Sequence, residues 1–259
     1  MTAQIPVHSK RQKPRGPFAE LLKVQAKLAL REPYALGGGI GLPIGLLVLF
    51  GWISSAQPGN VAGTGLTVID LWTPTLMVIA FILIAVSLPN TMVRDREIGW
   101  LRRVSTTPVH PWRLLAAQLV INLVLALVAV LIITLGGALL FGASLHVSIL
   151  PFGVSLVLAI AELFALGLMV VALAPSQVAG STIAGVVTFA LMFLAGLWVN
   201  PAQAGDPLAT IMYYSPSGSA YKAVLDSAFS GNVPWAAWVT MAVYTAVFAF
   251  LATRYFRWE

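Results

Sequence analysis

The sequence predicts an all-α membrane protein with six transmembrane helices, because its composition is strongly apolar and its apolar residues fall in six long runs. Of its 259 residues, 59% are hydrophobic and only 9% are charged, which leaves too little polar surface for a globule in water. About 20 apolar residues cross the ~30 Å hydrocarbon layer as a helix. Runs of that length lie at roughly 35–55, 71–93, 114–141, 149–174, 178–199 and 235–253.

The basic residues predict how these helices are oriented. Seven lysines and arginines precede the first span, five flank the second and third spans, and two follow the sixth, which leaves Lys222 alone on the other side. Cytoplasmic loops carry the excess of basic residues in membrane proteins. We therefore predict a multi-pass protein of a bacterial cytoplasmic membrane with both termini in the cytoplasm. The net charge of +6 is better explained by this placement than by a nucleic-acid partner.

The chain shows no pattern typical of an enzyme. It has no cysteine and three isolated histidines, and its acidic residues lie on opposite sides of the predicted membrane. Such residues do not form a metal site, a dyad or a triad. We therefore predict no catalytic residue, no metal site and no cofactor bound by this chain.

The N-terminal region divides into a tail and an amphipathic helix. Residues 1–16 are polar and basic, which predicts a disordered cytoplasmic tail, while residues 17–259 form a single transmembrane domain. Over 17–32, helical periodicity places Glu20, Lys23, Lys27 and Arg31 on one stripe and apolar residues opposite. Such a helix is expected to lie in the interface against membrane lipids. The alternative is a plain cytoplasmic extension of the first span.

Glycines recur every four residues in the first span, at Gly37, Gly41 and Gly45. Small residues at this spacing form a groove that lets another helix approach closely. The groove favours packing either within the chain or against a second subunit, and the alternative is a stripe of glycines that faces lipid.

The segment between the fifth and sixth spans, residues 200–234, is long and rich in aromatic and aliphatic side chains. Aromatic residues are typical of the headgroup region of a bilayer. We predict a short re-entrant or interfacial helical segment here, rather than an exposed loop.

The connection between the second and third spans is unusually charged. As a helix, residues 94–104 carry Arg96, Arg102 and Arg103 on one arc and apolar residues opposite, with Glu97 inside the apolar arc. A carboxylate there needs a partner, and Arg94 is the one available locally. We predict a helix that lies across the end of the bundle. The alternative is an ordinary basic linker on the cytoplasmic side.

This stretch, VRDREIGWLRRVSTTPVHPWRLLAAQL, resembles the signature of ABC transporter type-2 permeases, the membrane subunits of drug, lipid and polysaccharide exporters. The residues that match are Arg96, Glu97, Gly99, Leu101, Arg102, Thr107, Pro108 and Arg113. Further similarity lies at 69–74, 173–176, 193–196, 214–216 and 255–259, although Thr75 stands where many members carry glycine.

The resemblance implies a half-channel that forms a dimer, here a homodimer, and contacts a separate cytoplasmic ABC ATPase. It also implies that the interfacial helix and a coupling helix between the second and third spans face that ATPase. The coupling residues would be Arg94, Arg96, Glu97, Gly99, Leu101, Arg102, Arg103, Thr107 and Pro108. The sequence contains no GxxxxGK[ST] loop, so ATP and Mg²⁺ would be held by the partner chain.

One ionisable residue, Glu162, lies midway along the fourth span. A charge at that depth costs roughly 2.5–3.5 kcal/mol on insertion scales, which makes it a candidate for function. It could contact a cationic substrate, carry a proton, or bond to a neighbouring helix.

Together these features favour an exporter of a hydrophobic or amphipathic drug, antibiotic or lipid. The first alternative is an exporter of polysaccharide or a lipid-linked glycan, which the lack of an aromatic track along the spans disfavours. The others are a proton-coupled secondary transporter that uses Glu162 and a membrane enzyme.

Overall fold

The computed structural model describes residues 17–31, 34–57, 59–61, 65–97, 111–143, 148–199, 201–230 and 232–255. These ranges contain α-helices and no strand. The helices are α1 (Pro17–Ala29), α2 (Leu42–Ala56), α3 (Val68–Glu97), α4 (Pro111–Phe141), α5 (Ile149–Leu173), α6 (Gln177–Leu194), α7 (Asp206–Tyr213), α8 (Pro216–Leu225) and α9 (Trp235–Tyr255). A π-helical turn, Tyr34–Gly41, leads into α2.

Six of these helices are long and apolar enough to cross a membrane, which confirms the predicted fold class. They are α2 with its π-helical turn, α3, α4, α5, α6 and α9. The third of them, α4, is the most apolar, and its described span contains no charged residue. The protein is therefore a helical multi-pass membrane protein.

Helix α3 forms the centre of the bundle. It packs against α2, α4, α5, α6 and α8, and its large apolar side chains, such as Phe81, Met77 and Leu88, are fully buried. Helices α6 and α9 lie at the periphery with most of their surface exposed. Helix α3 is therefore in contact with most of the other helices.

Helix α3 begins with a reciprocal capping box. The Thr67 N–H donates to Asp70 Oδ2 at 3.0 Å, and the Asp70 N–H donates to Thr67 Oγ1 at 3.4 Å. The Thr67 hydroxyl also donates to Asp70 Oδ2 at 2.6 Å. Two donors at the helix start are satisfied in this way, which explains why Asp70 is buried at the end of a span.

The other end of α3 corrects the predicted position of the coupling helix. That helix was expected to begin at Arg94, but Arg94–Glu97 continue α3, which the structure describes over 30 residues. No proline or glycine lies between Thr91 and Glu97, so nothing in the sequence stops the helix there. Residues 98–110 lie outside the described residues.

Helix α6 ends five residues before the predicted boundary of the fifth span. The Gly196 N–H bonds to Phe193 O at 3.0 Å and the Leu197 N–H bonds to Met192 O at 3.1 Å. Gly196 has a φ of +92°, which glycine adopts without the cost that a Cβ would add. This is a Schellman motif, so the helix stops at Leu194 although the apolar run continues to Val199.

Among the residues that the structure describes, no helix packs into the glycine stripe of the first span, which corrects one of the two expected uses. Gly37, Gly41 and Gly45 are exposed, and a Cβ added at Gly37 or Gly45 would meet nothing within 4 Å. Helix α2 instead turns Pro43, Leu47 and Gly51 inward. Packing of the glycines against a second subunit stays a prediction.

Close helix approach occurs at other glycines. A Cβ added at Gly167 of α5 would lie 2.6 Å from the backbone oxygen of Ala85 in α3, and one added at Gly39 would lie 2.6 Å from Ile84 Cγ1. Both positions place a neighbouring helix directly against α3. Glycine at these two positions therefore lets α3 lie close to its neighbours.

Between the fifth and sixth spans the structure contains the two short helices α7 and α8. Helix α8 packs against α3, α5, α6 and α9, and its residues are almost all buried. The Ser217 hydroxyl donates to Leu191 O of α6 at 2.7 Å. The segment is therefore helical and packed into the bundle, whereas its depth in a bilayer stays a prediction.

Candidate functional site

The end of α3 meets the start of α6 at a contact that we call the α3–α6 junction, formed by Glu97, Ser176 and Gln177. The Gln177 N–H donates to Glu97 Oε1 at 2.6 Å, across 80 residues of sequence. Gln177 is the first residue of α6, where the N–H has no partner within the helix. A carboxylate at this end also interacts favourably with the helix dipole.

Ser176 caps α6 independently of Glu97. Its hydroxyl oxygen accepts from the Ala179 N–H at 3.2 Å, and its carbonyl accepts from the Gly180 N–H at 2.8 Å. Its backbone is extended, with φ −145° and ψ 163°. The start of α6 is therefore formed locally, and Glu97 adds a bond from another span.

Apolar packing lies directly beneath the junction. A Cβ added at Gly180 of α6 would lie 3.5 Å from Val93 Cγ2 of α3, so the two helices are in close contact one turn in. Val93 belongs to a small buried cluster with Leu88, Met92, Val171 and Ala174. The junction is thus a polar contact at the edge of a packed apolar layer.

Helix α4 joins the same layer through a polar bond. Gln118 Nε2 donates to Thr91 Oγ1 at 2.5 Å, and the Thr91 hydroxyl is in bonding distance of Ser87 O at 3.0 Å. Leu115 and Leu119 of α4 pack against the apolar cluster. The helices on both sides of the 98–110 connection are therefore fixed to each other close to where it begins and ends.

The second candidate, Glu162, lies in the middle of α5 and is fully buried. Neither of its carboxyl oxygens has a hydrogen-bond partner among the residues that the structure describes. Helix α5 packs against α3, α8 and α9, and the Glu162 side chain has no exposed surface. An unpaired buried charge costs several kcal/mol of folding free energy, so an acidic residue at such a position is uncommon.

Lys222 makes local contacts at the opposite end of the bundle. Its Nζ lies 2.8 Å from Asp226 Oδ1 and 5.3 Å from the ring centroid of Tyr213. The pKa of the Tyr213 hydroxyl lies above its usual value, because burial and then the negative charge of Asp226 disfavour the phenolate. These contacts connect α7 to the end of α8.

A protein-family model described as "ABC-2 type transporter" matches residues 17–229. The chain belongs to the ABC-2 type transporter family. The match includes the first five spans of this permease and helices α7 and α8. It confirms the resemblance drawn from the sequence. Permeases of the family normally work with an ATP-binding cassette subunit and are generally not catalytic themselves. No curated protein matches the sequence.

The structure describes only some of the residues of the predicted coupling surface of the permease. Arg94 and Glu97 are exposed in the last turn of α3, and Arg96 lies on the same turn. Gly99, Leu101, Arg102, Arg103, Thr107 and Pro108 lie outside the described residues. The proposed roles of all these residues stay predictions.

The predicted interfacial helix corresponds to α1, which packs against α4. Lys23, Lys27 and Arg31 are exposed, and so are the apolar side chains of Val24 and Leu28. Glu20 lies on the same helix, but its side chain is outside the described part of the chain. Contact of α1 with lipid or with an ATPase stays a prediction.

The α3–α6 junction was missed by reasoning from the sequence. Arg94 was expected to be the partner of Glu97, but Glu97 accepts from a backbone N–H of the fifth span. Ser176 at the N-cap marks the start of α6, which is a signal for an anion-binding helix terminus. No sequence pattern identifies Glu97 as the carboxylate that binds there.

The described residues contain no group of three or more histidine or acidic side chains that could hold a metal ion. Asp70, Asp206 and Asp226 instead lie at the start of α3, at the start of α7 and after α8. The described polar groups thus serve mainly as caps and as links between helices.

Proposed function

We propose that this permease is the transmembrane subunit of an ATP-driven exporter, and that its cargo is a hydrophobic or amphipathic drug, antibiotic or lipid. Two copies of the chain would form the pathway as a homodimer, and two copies of a separate ATPase would drive it. The location would be a bacterial cytoplasmic membrane, with both termini in the cytoplasm. The proposal extends the family assignment by naming the cargo class, the direction and the assembly.

The main observation in support of the cargo class is the apolar outer face of the spans. On α6, the side chains of Val178, Val186 and Phe189 are 76%, 67% and 65% exposed. In the middle of the described spans the one charged side chain, Glu162, is buried inside the subunit. A pathway along the outer faces of two such subunits would favour an apolar cargo over a hydrated sugar chain.

The placement of the elements expected in the cytoplasm supports the proposal that a separate ATPase drives transport. The connection 98–110 runs from the end of α3 to the start of α4, and α1 packs against α4. The two elements that the family resemblance assigns to the ATPase surface therefore belong to connected helices. An ATPase that binds there would act on α3, the central helix.

The proposal is tested by co-expression with the ABC ATPase encoded nearest to this gene, followed by co-purification and reconstitution into proteoliposomes. We expect the purified complex to hydrolyse ATP faster with amphipathic dyes or phospholipid analogues than with oligosaccharides. Stimulation by oligosaccharides alone would support the glycan alternative and contradict the proposed cargo class. The control is the same complex with the catalytic glutamate of the ATPase replaced by glutamine.

One further outcome would contradict an ATP-driven mechanism. If the permease alone moved the dye on a pH gradient without nucleotide, a proton-coupled transporter would replace the proposal. Glu162, whose buried carboxyl has no hydrogen-bond partner among the described residues, would then be the first residue to test as the proton carrier.

A further inference from the structure

We infer that Glu97 is a positioning residue that connects the coupling segment to the fifth span, through its bond to the Gln177 N–H. This inference rests on the proposed ATP-driven function. It differs from the role that the family resemblance suggested for Glu97, which was contact with the ATPase.

The geometry supports a connection between spans rather than an ordinary helix cap. Helix α6 already has Ser176 as its cap, and the hydroxyl of Ser176 accepts from Ala179 at 3.2 Å. The bond from Gln177 to Glu97 at 2.6 Å therefore adds a partner that the start of α6 does not need in order to form. A bond to an ionised acceptor is stronger than one between neutral groups.

The position of Glu97 makes this bond relevant to coupling. Glu97 is the last residue of α3 that the structure describes, and the residues that follow it are those expected to meet the ATPase. Helix α3 is continuous over 30 residues, or about 45 Å at 1.5 Å per residue. Because Glu97 is bonded to the first residue of α6, a push on the coupling segment would reach the start of α6 through this bond.

The surroundings of α6 explain why this bond would matter. Most of α6 is exposed, and it packs against α3 and, less extensively, against α5 and α8. At its first turn it is held to α3 by the Glu97 bond and by the contact of Gly180 with Val93. Because Glu97 is exposed to water, the bond can break and form again during a transport cycle.

The backbone at Gln177 allows an unusually selective test, because proline can replace this residue without disturbing the helix. The first helical position accepts proline, which has no N–H, and Ser176 already has the extended conformation that a following proline requires. Gln177→Pro therefore removes the donor to Glu97. Gln177→Ala keeps the N–H and changes only the side chain, so it is the matched control.

Both variants, together with Glu97→Ala and Glu97→Gln, are measured in the reconstituted permease–ATPase complex. We expect Gln177→Pro and Glu97→Ala to lower cargo-stimulated ATP hydrolysis by about three- to tenfold, the factor typical of one lost hydrogen bond. Glu97→Gln should fall between, since the amide oxygen still accepts. Gln177→Ala should behave as the unaltered chain, and all four should retain the same amount of bound ATPase.

The double variant Glu97→Ala with Gln177→Pro identifies whether the two residues act as one pair. If they do, its loss equals that of either single variant, because the bond can be removed only once. Additive losses would overturn the inference, and so would equal stimulation in Gln177→Pro and Gln177→Ala.

The remaining outcomes separate this inference from the proposed function. Loss of bound ATPase in Glu97→Ala but not in Gln177→Pro would show that Glu97 contacts the ATPase, which overturns the inference and leaves the exporter in place. Absence of ATPase binding by the unaltered chain would instead contradict the proposed function. If Gln177→Pro does not fold, the comparison of Glu97→Ala with Glu97→Gln decides the matter, since equal losses in both would contradict a bond-based role. A purely structural role would lower the melting temperature without changing the ratio of stimulated to unstimulated hydrolysis.

Discussion

The distances between α3 and α5 at Gly167 predict how the variant Gly167→Ala changes the stability of the protein. In Gly167→Ala the new Cβ would lie 2.6 Å from Ala85 O, 3.3 Å from Ala85 C and 3.4 Å from Leu88 Cδ1. Two of these atoms belong to the backbone of α3, which is held by helices on every side. Ordinary contact begins at 3.4 Å, so α3 and α5 would have to separate by about 0.8 Å.

The expected cost follows from how little the site can relax. Overpacking of a well-packed interior costs about 1–3 kcal/mol, and a backbone oxygen yields less readily than the end of a side chain. Alanine in place of a helical glycine has the opposite effect where space is free, by roughly 0.5–1 kcal/mol. The two effects are separated by Gly153→Ala in the same helix, because a Cβ there meets nothing within 4 Å.

The assay is thermal unfolding of the two purified variants in the same detergent. The folded fraction that remains after heating is measured by size-exclusion chromatography of the fluorescently labelled protein. We expect Gly167→Ala to melt below the unaltered chain and Gly153→Ala to melt at or above it. At about 2–4 °C for each kcal/mol, the two variants should differ by several degrees. If Gly167→Ala melted at or above Gly153→Ala, the close α3–α5 approach would be refuted.

Three further predictions concern the caps, the spans and the buried acid. Thr67→Ala should lower stability by about 1 kcal/mol because it breaks the capping box of α3, whereas Thr67→Ser should keep it, and thermal unfolding of the pair checks this. Trp238→Phe removes the bond from Nε1 to Ser155 Oγ (2.8 Å) between α9 and α5, with an expected loss of about 0.5–1.5 kcal/mol. The double variant with Ser155→Ala should lose less stability than the sum of the two single losses. Full additivity in the same thermal unfolding experiments would argue against the bond. Glu162→Gln should keep ATP-driven transport in proteoliposomes, because the carboxyl is closed off from the outer surface of the subunit. Loss of transport with normal folding would assign Glu162 to the pathway or to proton movement.

Several features of the fold could be predicted from the sequence because their causes are local. Six apolar runs of bilayer length predicted six spans, and all six are present. Two missed details also had local signals. Thr67 and Asp70 have the spacing of a capping box, and Gly196 in LAGLW is placed to end the fifth span before its apolar run stops.

The candidate site was less predictable, because it depends on contacts between distant parts of the chain. Helical periodicity placed Glu97 on an apolar arc and so indicated that it needs a partner, but periodicity describes one helix at a time. The partner is the backbone N–H of Gln177. Ser176 marks the helix start where such an N–H is free, but no local pattern pairs that N–H with Glu97. The coupling residues beyond Glu97 stay predictions based on the family resemblance.

The sequence by itself determined which segments leave water, since the length and composition of an apolar run fix its transfer into a bilayer whatever its neighbours are. Only the tertiary structure decided which face of each span turns inward. In a bilayer both faces of a span are apolar, so composition does not distinguish the face that meets lipid from the face that meets protein. The first span therefore turns Leu47 and Gly51 to the bundle and leaves Gly37, Gly41 and Gly45 outside, a choice made by packing against α3 and α4.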